Sequence, residues 1–137
     1  MTIVDLTRRQ KIASHAACAK NLFQRLRGLI GRLPLREGEA LWIPHCQGIH
    51  TWGMSYPIDV IFLDSRKTVV RTARELRVNS FGPVSWKADS VVELPSGTLQ
   101  KFQVQPGDRL AFVDEDPWNQ PATSSGNAFT SPPPRGK

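Results

Sequence analysis

The chain of 137 residues lacks a long apolar run and has only two cysteines. A helix that spans a bilayer needs about 20 consecutive apolar residues, so we expect no transmembrane segment. The opening residues, MTIVDLTRRQK, have no apolar core of the kind a secretory signal requires. Two cysteines, Cys18 and Cys46, cannot build a disulfide framework, and we expect free thiols. These features together predict a cytoplasmic protein.

Familiar catalytic motifs are also missing. The sequence has no glycine-rich phosphate loop, no Ser–His–Asp order and no pair of catalytic carboxylates. This favours a protein that is not an enzyme and that needs no cofactor, although an enzymatic alternative is kept below.

The net charge of +6 belongs to the N-terminal third. Residues 1–37 hold eight basic and two acidic residues, whereas residues 38–137 hold ten of each sign. Such a segment could bind nucleic acid, an acidic protein or an anionic lipid surface. It lacks the series of aromatic side chains on which bases stack. A solvated helix face is therefore the favoured interpretation, and electrostatic binding is the alternative.

Short segments rich in β-branched and aromatic residues alternate with Gly, Pro, Asn and Asp, which is typical of a mainly β protein. The pattern also predicts a helix near 22–30, a helical turn near 96–103 with Leu99 and Phe102 inward, and a hairpin turn at 64–67. We expect a compact α+β domain with a barrel-like or sandwich-like, antiparallel or mixed sheet. The predicted strands are 11–18, 39–43, 47–52, 58–63, 68–74, 90–94 and 109–113.

The composition divides the chain into three parts. We expect a flexible N-terminus over residues 1–10 and a single globular domain over 11–116. Residues 117–137 combine five prolines with Ser, Thr, Asn and Gly. Such a composition buries too little apolar surface to order itself, which predicts a disordered tail.

Three sequence blocks carry a family resemblance. In chain order they are FQRLRGLIGRLPLREGEALWI, CQGIHTWGMSYPIDVIFLDSRKTVV and VVELPSGTLQKFQVQPGDRLAF. Over about residues 13–113 the chain closely resembles domain-of-unknown-function family 192, a group of small bacterial and archaeal proteins. The resemblance implies a compact, mainly β domain with a helix after the first strand, and it implies no assigned activity. Many relatives carry a secretory or membrane-anchoring N-terminus, so this sequence departs from them and gives no ground for a periplasmic role.

The segment LWIPHCQGIHTWGMSYPIDVIFLD, residues 41–64, is the best place to look for a site. It is apolar enough to be buried, so its few polar residues must be hydrogen-bonded or functional. We expect a cleft around residues 46–59 and a non-catalytic binding or accessory module that takes an unknown protein or small molecule. The ligand-binding candidates are Arg27, His50, Thr51, Trp52, Met54 and Asp59.

An enzyme that uses Cys46 or Asp59 together with His50 is the alternative. Cys46 would need a nearby imidazole or cation to become a nucleophile, and a small core residue is the simpler interpretation. A metal site is not expected. In an extended chain Cys46 and His50 stand about 13 Å apart at roughly 3.3 Å per residue, which is too far for one ion.

Asp59 is the sharpest candidate because it interrupts an apolar strand. Ile58, Val60 and Phe62 would occupy one face of that strand, and Asp59 the other. Its carboxylate either accepts backbone N–H bonds from the turn at residues 53–56 or acts as a general base beside His50. The first interpretation is favoured, and Arg27 is a further candidate partner.

Overall fold

The protein, seen in a computed structural model, is described over residues 1–19, 21, 34–118 and 136. These residues form ten strands and one short helix. In chain order they are β1 (Thr2–Asp5), β2 (Gln10–Ala13), β3 (His15–Cys18), β4 (Glu39–Pro44), β5 (Gly48–His50), β6 (Ile58–Leu63), β7 (Val69–Leu76), β8 (Phe81–Val84), β9 (Ser90–Pro95), α1 (Thr98–Phe102) and β10 (Leu110–Val113).

The largest sheet has five strands in the order β3-β4-β9-β6-β7. β3 and β4 run parallel, and the other neighbours are antiparallel. The predicted turn at 64–67 joins β6 to β7: the Asp64 carboxylate accepts the N–H groups of Arg66 and Thr68, both at 2.9 Å. Such a side-chain-to-backbone turn favours Asp at this position.

Strand β6 is buried along its whole length and separates two cores. Ile61 and Leu63 face a core closed by the three-stranded sheet β10-β1-β2 and by Leu99 of α1. Ile58, Val60 and Phe62 face a second core on the other side of the sheet, whose further buried members include Leu41, Ile43 and Met54. The predicted mainly β class with a mixed sheet is therefore confirmed.

The N-terminal residues differ from the sequence-based expectation. Residues 1–10 were expected to be flexible, but Thr2–Asp5 form the fully buried middle strand of the three-stranded sheet. Four residues before a charged stretch give too short a pattern to signal a strand. The single strand predicted at 11–18 is instead two strands, β2 and β3, which join different sheets. The break falls at Ser14, where the N–H groups of Ser14 and His15 both donate to the Gly38 carbonyl at 2.9 Å.

The helical predictions have two outcomes. The helix expected near 22–30 lies outside the described residues, as does most of the tail expected over 117–137. The turn expected at 96–103 is helix α1, with Leu99 fully buried and Phe102 packed against the same core. No helix in the described part of the chain is long and apolar enough to cross a membrane.

A pair of buried carboxylates fastens β1 to the loop before β10. Asp5 is fully buried and accepts the N–H groups of Thr7 and Arg8 at 3.0 and 3.2 Å. Asp108 accepts the Arg8 side chain at 2.7 Å. Burial raises the pKa of Asp5, and the charge of Asp108 raises it further, against the lowering effect of the N–H bond from Arg8.

This raised pKa predicts a pH dependence of stability. Folding favours the protonated form of Asp5, so its contribution is fully present below the pKa of the unfolded chain and is lost as pH rises through the folded pKa. Asp5→Asn cannot ionise and keeps an oxygen for the N–H groups of Thr7 and Arg8. We expect the free energy of unfolding of Asp5→Asn, minus that of the wild type, to increase from mildly acidic to neutral pH. Urea denaturation across this pH range measures the difference; a difference that stays flat or falls would contradict the assignment.

Candidate functional site

Asp59 is fully buried, and its carboxylate is fully engaged by the backbone. One oxygen accepts the Glu75 N–H at 2.8 Å, and the other accepts the N–H groups of Gly97 at 3.1 Å and Leu99 at 2.9 Å. The carboxylate therefore joins β6 to the end of β7 and to the start of α1. This arrangement suits a structural anion and leaves no exposed oxygen for a general base.

The Asp59 carboxylate accepts backbone N–H groups, as in the favoured interpretation, but the donors are not the predicted ones. The expected donors were in the turn at residues 53–56, yet the donors lie 16 to 40 residues away along the chain. The Asp59 side chain points to the face of the sheet that holds Leu99, whereas Met54 belongs to the core on the other face. The structure therefore separates these two candidates rather than placing them in one cleft.

Thr51 is fully buried and holds two loops together. Its hydroxyl donates to the Arg77 carbonyl and accepts the Ser80 N–H at 3.0 Å. Its carbonyl accepts the N–H groups of Met54 at 3.1 Å and Asn79 at 2.9 Å. A residue with this many backbone contacts fixes the loop that follows β5, and it presents no free group to a ligand.

Cys46 is half-buried and packs against the second core. Its thiol donates to the Gly48 carbonyl at 2.9 Å. A thiolate has no proton to donate, so this hydrogen bond favours the unreactive thiol. Among the residues that the structure describes, no three His, Cys, Asp or Glu side chains gather closely enough to hold a metal ion.

His50 and Trp52 are the predicted candidates that remain on the surface. Trp52 is 52% exposed and contacts Phe81 in a tilted arrangement, with ring centroids 4.7 Å apart and an interplanar angle of 43°. His50 lies opposite Phe81 in the two-stranded sheet formed by β5 and β8. Phe81 is 77% exposed, and Trp86, just after β8, is 83% exposed. We call His50, Trp52, Phe81, Val84 and Trp86 the aromatic surface.

Two glycines explain why these side chains face outward. A Cβ atom on Gly82 would lie 2.6 Å from Ile49, so only glycine lets β8 lie this close to the inward side chain of β5. A Cβ atom on Gly48 would lie 3.0 Å from Val84, which places Gly48 and Val84 on the same outer face. The bulge between β5 and β8 therefore puts both Phe81 and Val84 outside.

Cationic side chains border the aromatic surface. The Arg71 guanidinium donates to the Val84 carbonyl at 3.4 Å, Arg77 lies in the loop that Thr51 holds, and Lys87 follows Trp86. All three cationic residues are exposed, and none forms an ion pair with an acidic side chain of the described residues.

Sequence reasoning missed three members of this surface: Phe81, Val84 and Trp86. The segment FGPV gave no strand signal because proline lacks the N–H of a ladder, so β8 was not predicted. An isolated aromatic residue also carries no sign of whether it is buried or exposed. The candidate Arg27 lies outside the described residues.

A separate cleft of about 500 Å³ lies beside α1 and β2. Three of its four charged side chains are in ion pairs: Lys101 with Glu37, and Lys11 with Asp116 at 3.5 Å. The fourth, Glu39, accepts the Arg36 N–H at 3.3 Å. A charged ligand would have to replace these contacts, so the cleft is a weaker candidate than the aromatic surface.

The structural role of Asp59 can be tested directly. Asp59→Ala leaves three backbone N–H groups without their acceptor, at about 1–3 kcal/mol each when buried, so we expect the free energy of unfolding to fall by about 3 kcal/mol or more. Asp59→Asn keeps one accepting oxygen and should fall between this variant and the wild type. His50→Ala is the surface control, with an expected change within about 0.5 kcal/mol. Chemical denaturation measures all three; equal stability of Asp59→Ala and wild type would contradict the role.

The thiol of Cys46 should react slowly. In a Cys18→Ser variant, which leaves Cys46 as the only thiol, we expect labelling by a disulfide reagent at neutral pH to be slower than that of an unstructured cysteine peptide. Both partial burial and the bond to the Gly48 carbonyl protect the proton. Labelling faster than the peptide would revive the nucleophile hypothesis.

The fold is shared with two solved proteins. A protein of unknown function from Novosphingobium aromaticivorans DSM 12444 superimposes with a TM-score of 0.70 at 17% identity, over 82% of this chain and 84% of its own. A "putative transcription regulator" from Sinorhizobium meliloti 1021 has a TM-score of 0.63 at 22% identity, over 70% of this chain and 79% of its own. At these identities the likeness concerns the fold alone. No curated protein matches the chain.

The family assignment comes from the sequence. The model of an uncharacterized family, domain-of-unknown-function family 192 (uncharacterized ACR), matches residues 4–112. This range includes every described strand that forms the two cores except the first two residues of β1 and the last residue of β10. The chain belongs to domain-of-unknown-function family 192.

Proposed function

We propose that this protein is a non-catalytic binding module that captures its partner through the aromatic surface. The supporting observation is the exposure of Trp52, Phe81 and Trp86, at 52%, 77% and 83%. Large aromatic side chains are the residues that contribute most when they are buried against a partner. Apolar side chains gathered on one surface of a soluble domain point to an interaction site.

The surface is also prepared for binding in its free state. The rings of Trp52 and Phe81 contact each other, and the loop that carries Trp52 is fixed by the buried Thr51. Aromatic side chains have only two rotatable bonds, so holding them in place costs little entropy. A partner would therefore meet rings whose positions are already set, which favours affinity.

Catalysis has less support from the same residues. The Asp59 carboxylate is held by three backbone N–H groups, and the Cys46 thiol donates to a carbonyl. His50 is then the one predicted catalytic candidate left on the surface, without the nucleophile or carboxylate it was expected to act with. Neither Cys18 nor Cys46 is in a disulfide, which suits a reducing compartment, and we propose that the module works in the cytoplasm.

The test compares capture with folding. Trp52→Ala combined with Phe81→Ala removes both contacting rings. We expect an immobilised variant to lose at least about nine-tenths of the partner captured by wild type, since hot-spot truncation costs about 2 kcal/mol or more. The unfolding free energy should change by less than about 1 kcal/mol because both rings are mostly exposed. Quantitative recovery from an extract of the source cells, beside urea denaturation, measures both.

Leu6→Ala is the matched control. Leu6 is 46% exposed in the loop after β1 and lies outside the aromatic surface, so its removal should leave capture unchanged. Capture by the double variant equal to that of wild type would refute the proposed role of the surface. Equal loss in Leu6→Ala would show that capture is nonspecific.

A further inference from the structure

We infer that the partner is a single-stranded nucleic acid, whose bases stack on the rings of the aromatic surface while its phosphates meet the surrounding cations. The inference rests on the proposed function and names the partner of that same surface. Single-stranded nucleic-acid modules combine exposed aromatic platforms with a positively charged track. Both components occur together here.

The rings lie on and next to the two-stranded sheet: Phe81 is in β8, Trp52 follows β5, and Trp86 is in the turn after β8. We call the path from Phe81 along β8 to Trp86 the stripe; Phe81, in tilted contact with Trp52, marks one end, and Trp86 marks the other. The five residue steps between Phe81 and Trp86 span at most roughly 16 Å, because β8 is bulged and Trp86 lies in a turn. The Gln47 side chain donates to the Trp86 carbonyl at 3.2 Å, which ties this end of the stripe to the residue before β5. Other sheet-based modules use aromatic residues on such a face to stack two or three bases.

Three cationic residues lie in segments next to the aromatic surface, where they could meet a phosphate backbone. The Arg71 guanidinium lies beside β8, at 3.4 Å from the Val84 carbonyl. The Arg77 backbone contacts Thr51, the residue before Trp52, and Lys87 follows Trp86 in the chain. Because no acidic side chain of the described residues pairs with these three, their charges are available to phosphates. The net charge of +6 would also attract a polyanion from a distance.

Ring exposure favours nucleic acid over an acidic protein segment. At 77% and 83% exposure, Phe81 and Trp86 stand out from the surface, and such rings offer faces for stacking. A protein segment would instead need pockets to receive its own apolar side chains. An anionic membrane would attract the same cations, but insertion of the rings would also carry His50, which faces outward beside Phe81, into the lipid interface.

The probe is a fluorescein-labelled oligo(dT) of about 15 nucleotides, within the range of site sizes of single-stranded modules, with oligo(U) as the RNA arm. Fluorescence anisotropy of the full chain should show saturable binding at low salt. Three phosphate contacts, at about −0.7 each, predict a slope of about −2 for log K against log salt. Binding should also quench tryptophan fluorescence, because a base would cover Trp52 or Trp86.

The variants separate stacking from charge. Phe81→Ala and Trp86→Ala should each weaken binding roughly five-fold or more with an unchanged salt slope. Arg71→Gln and Lys87→Gln should each reduce the magnitude of the slope by about 0.7. Lys101→Gln is the control, because Lys101 lies on α1, which packs on the opposite face of the central sheet. It should change neither value.

The outcomes are distinct. No binding of either oligonucleotide by the wild type at low salt would overturn the inference, as would binding that Phe81→Ala and Trp86→Ala leave intact. If a peptide of alternating Glu and Leu, or vesicles containing phosphatidylserine, bound through Trp52 and Phe81 while the oligonucleotides did not, the inference would fail and the binding module would stand. Failure of all these probes, with unchanged cell-extract capture by the double variant, would remove both.

Discussion

The buried carboxylate of Asp59 is the contact on which the architecture depends. It collects three backbone N–H groups from two segments that are distant in sequence. Both segments have backbone conformations that strand or helix hydrogen bonding does not satisfy: Glu75 has φ 48° and Gly97 has φ 93°. A negative charge compensates such donors better than a neutral acceptor does. The bulge that ends β7 and the start of α1 are therefore stabilised by one side chain of β6.

The Asp59 carboxylate lies on one face of the central sheet, but it also supports the aromatic surface on the other face. Asp59 fixes the end of β7, and the next residues, Leu76 and Arg77, reach the opposite side. Leu76 lies 3.2 Å from the position of a Cβ on Gly82, and the Arg77 carbonyl accepts the Thr51 hydroxyl. Displacing the end of β7 would move the supports of both β5 and β8. The buried residues Asp59 and Thr51 thus hold in place the strands and loops that carry the aromatic surface.

Strands and turns with a clear local sequence pattern could be predicted, whereas contacts between distant segments and strand β8 could not. Val60–Phe62 and the Asp64 turn are local signals, and the strands and hairpin they predict are present. The partners of Asp59 are not local signals, because they depend on how β7 and α1 meet β6. Strand β8 contains Pro83, and within the described residues it pairs with β5 alone, so neither its composition nor its neighbours in the sequence indicated a strand. Three of the five residues of the aromatic surface, Phe81, Val84 and Trp86, lie outside the candidate segment, in β8 and just after it.

Asp59 and Phe81 differ in how much each contributes to folding. A buried charge that accepts three N–H groups is costly to remove, so its presence is explained by folding alone. A phenylalanine that is 77% exposed contributes little to folding, because most of its apolar area remains in water. Exposed rings also favour aggregation, a cost that their small contribution to folding does not offset. Folding accounts for the buried polar residues of the candidate segment, and the proposed binding role would account for the exposed rings.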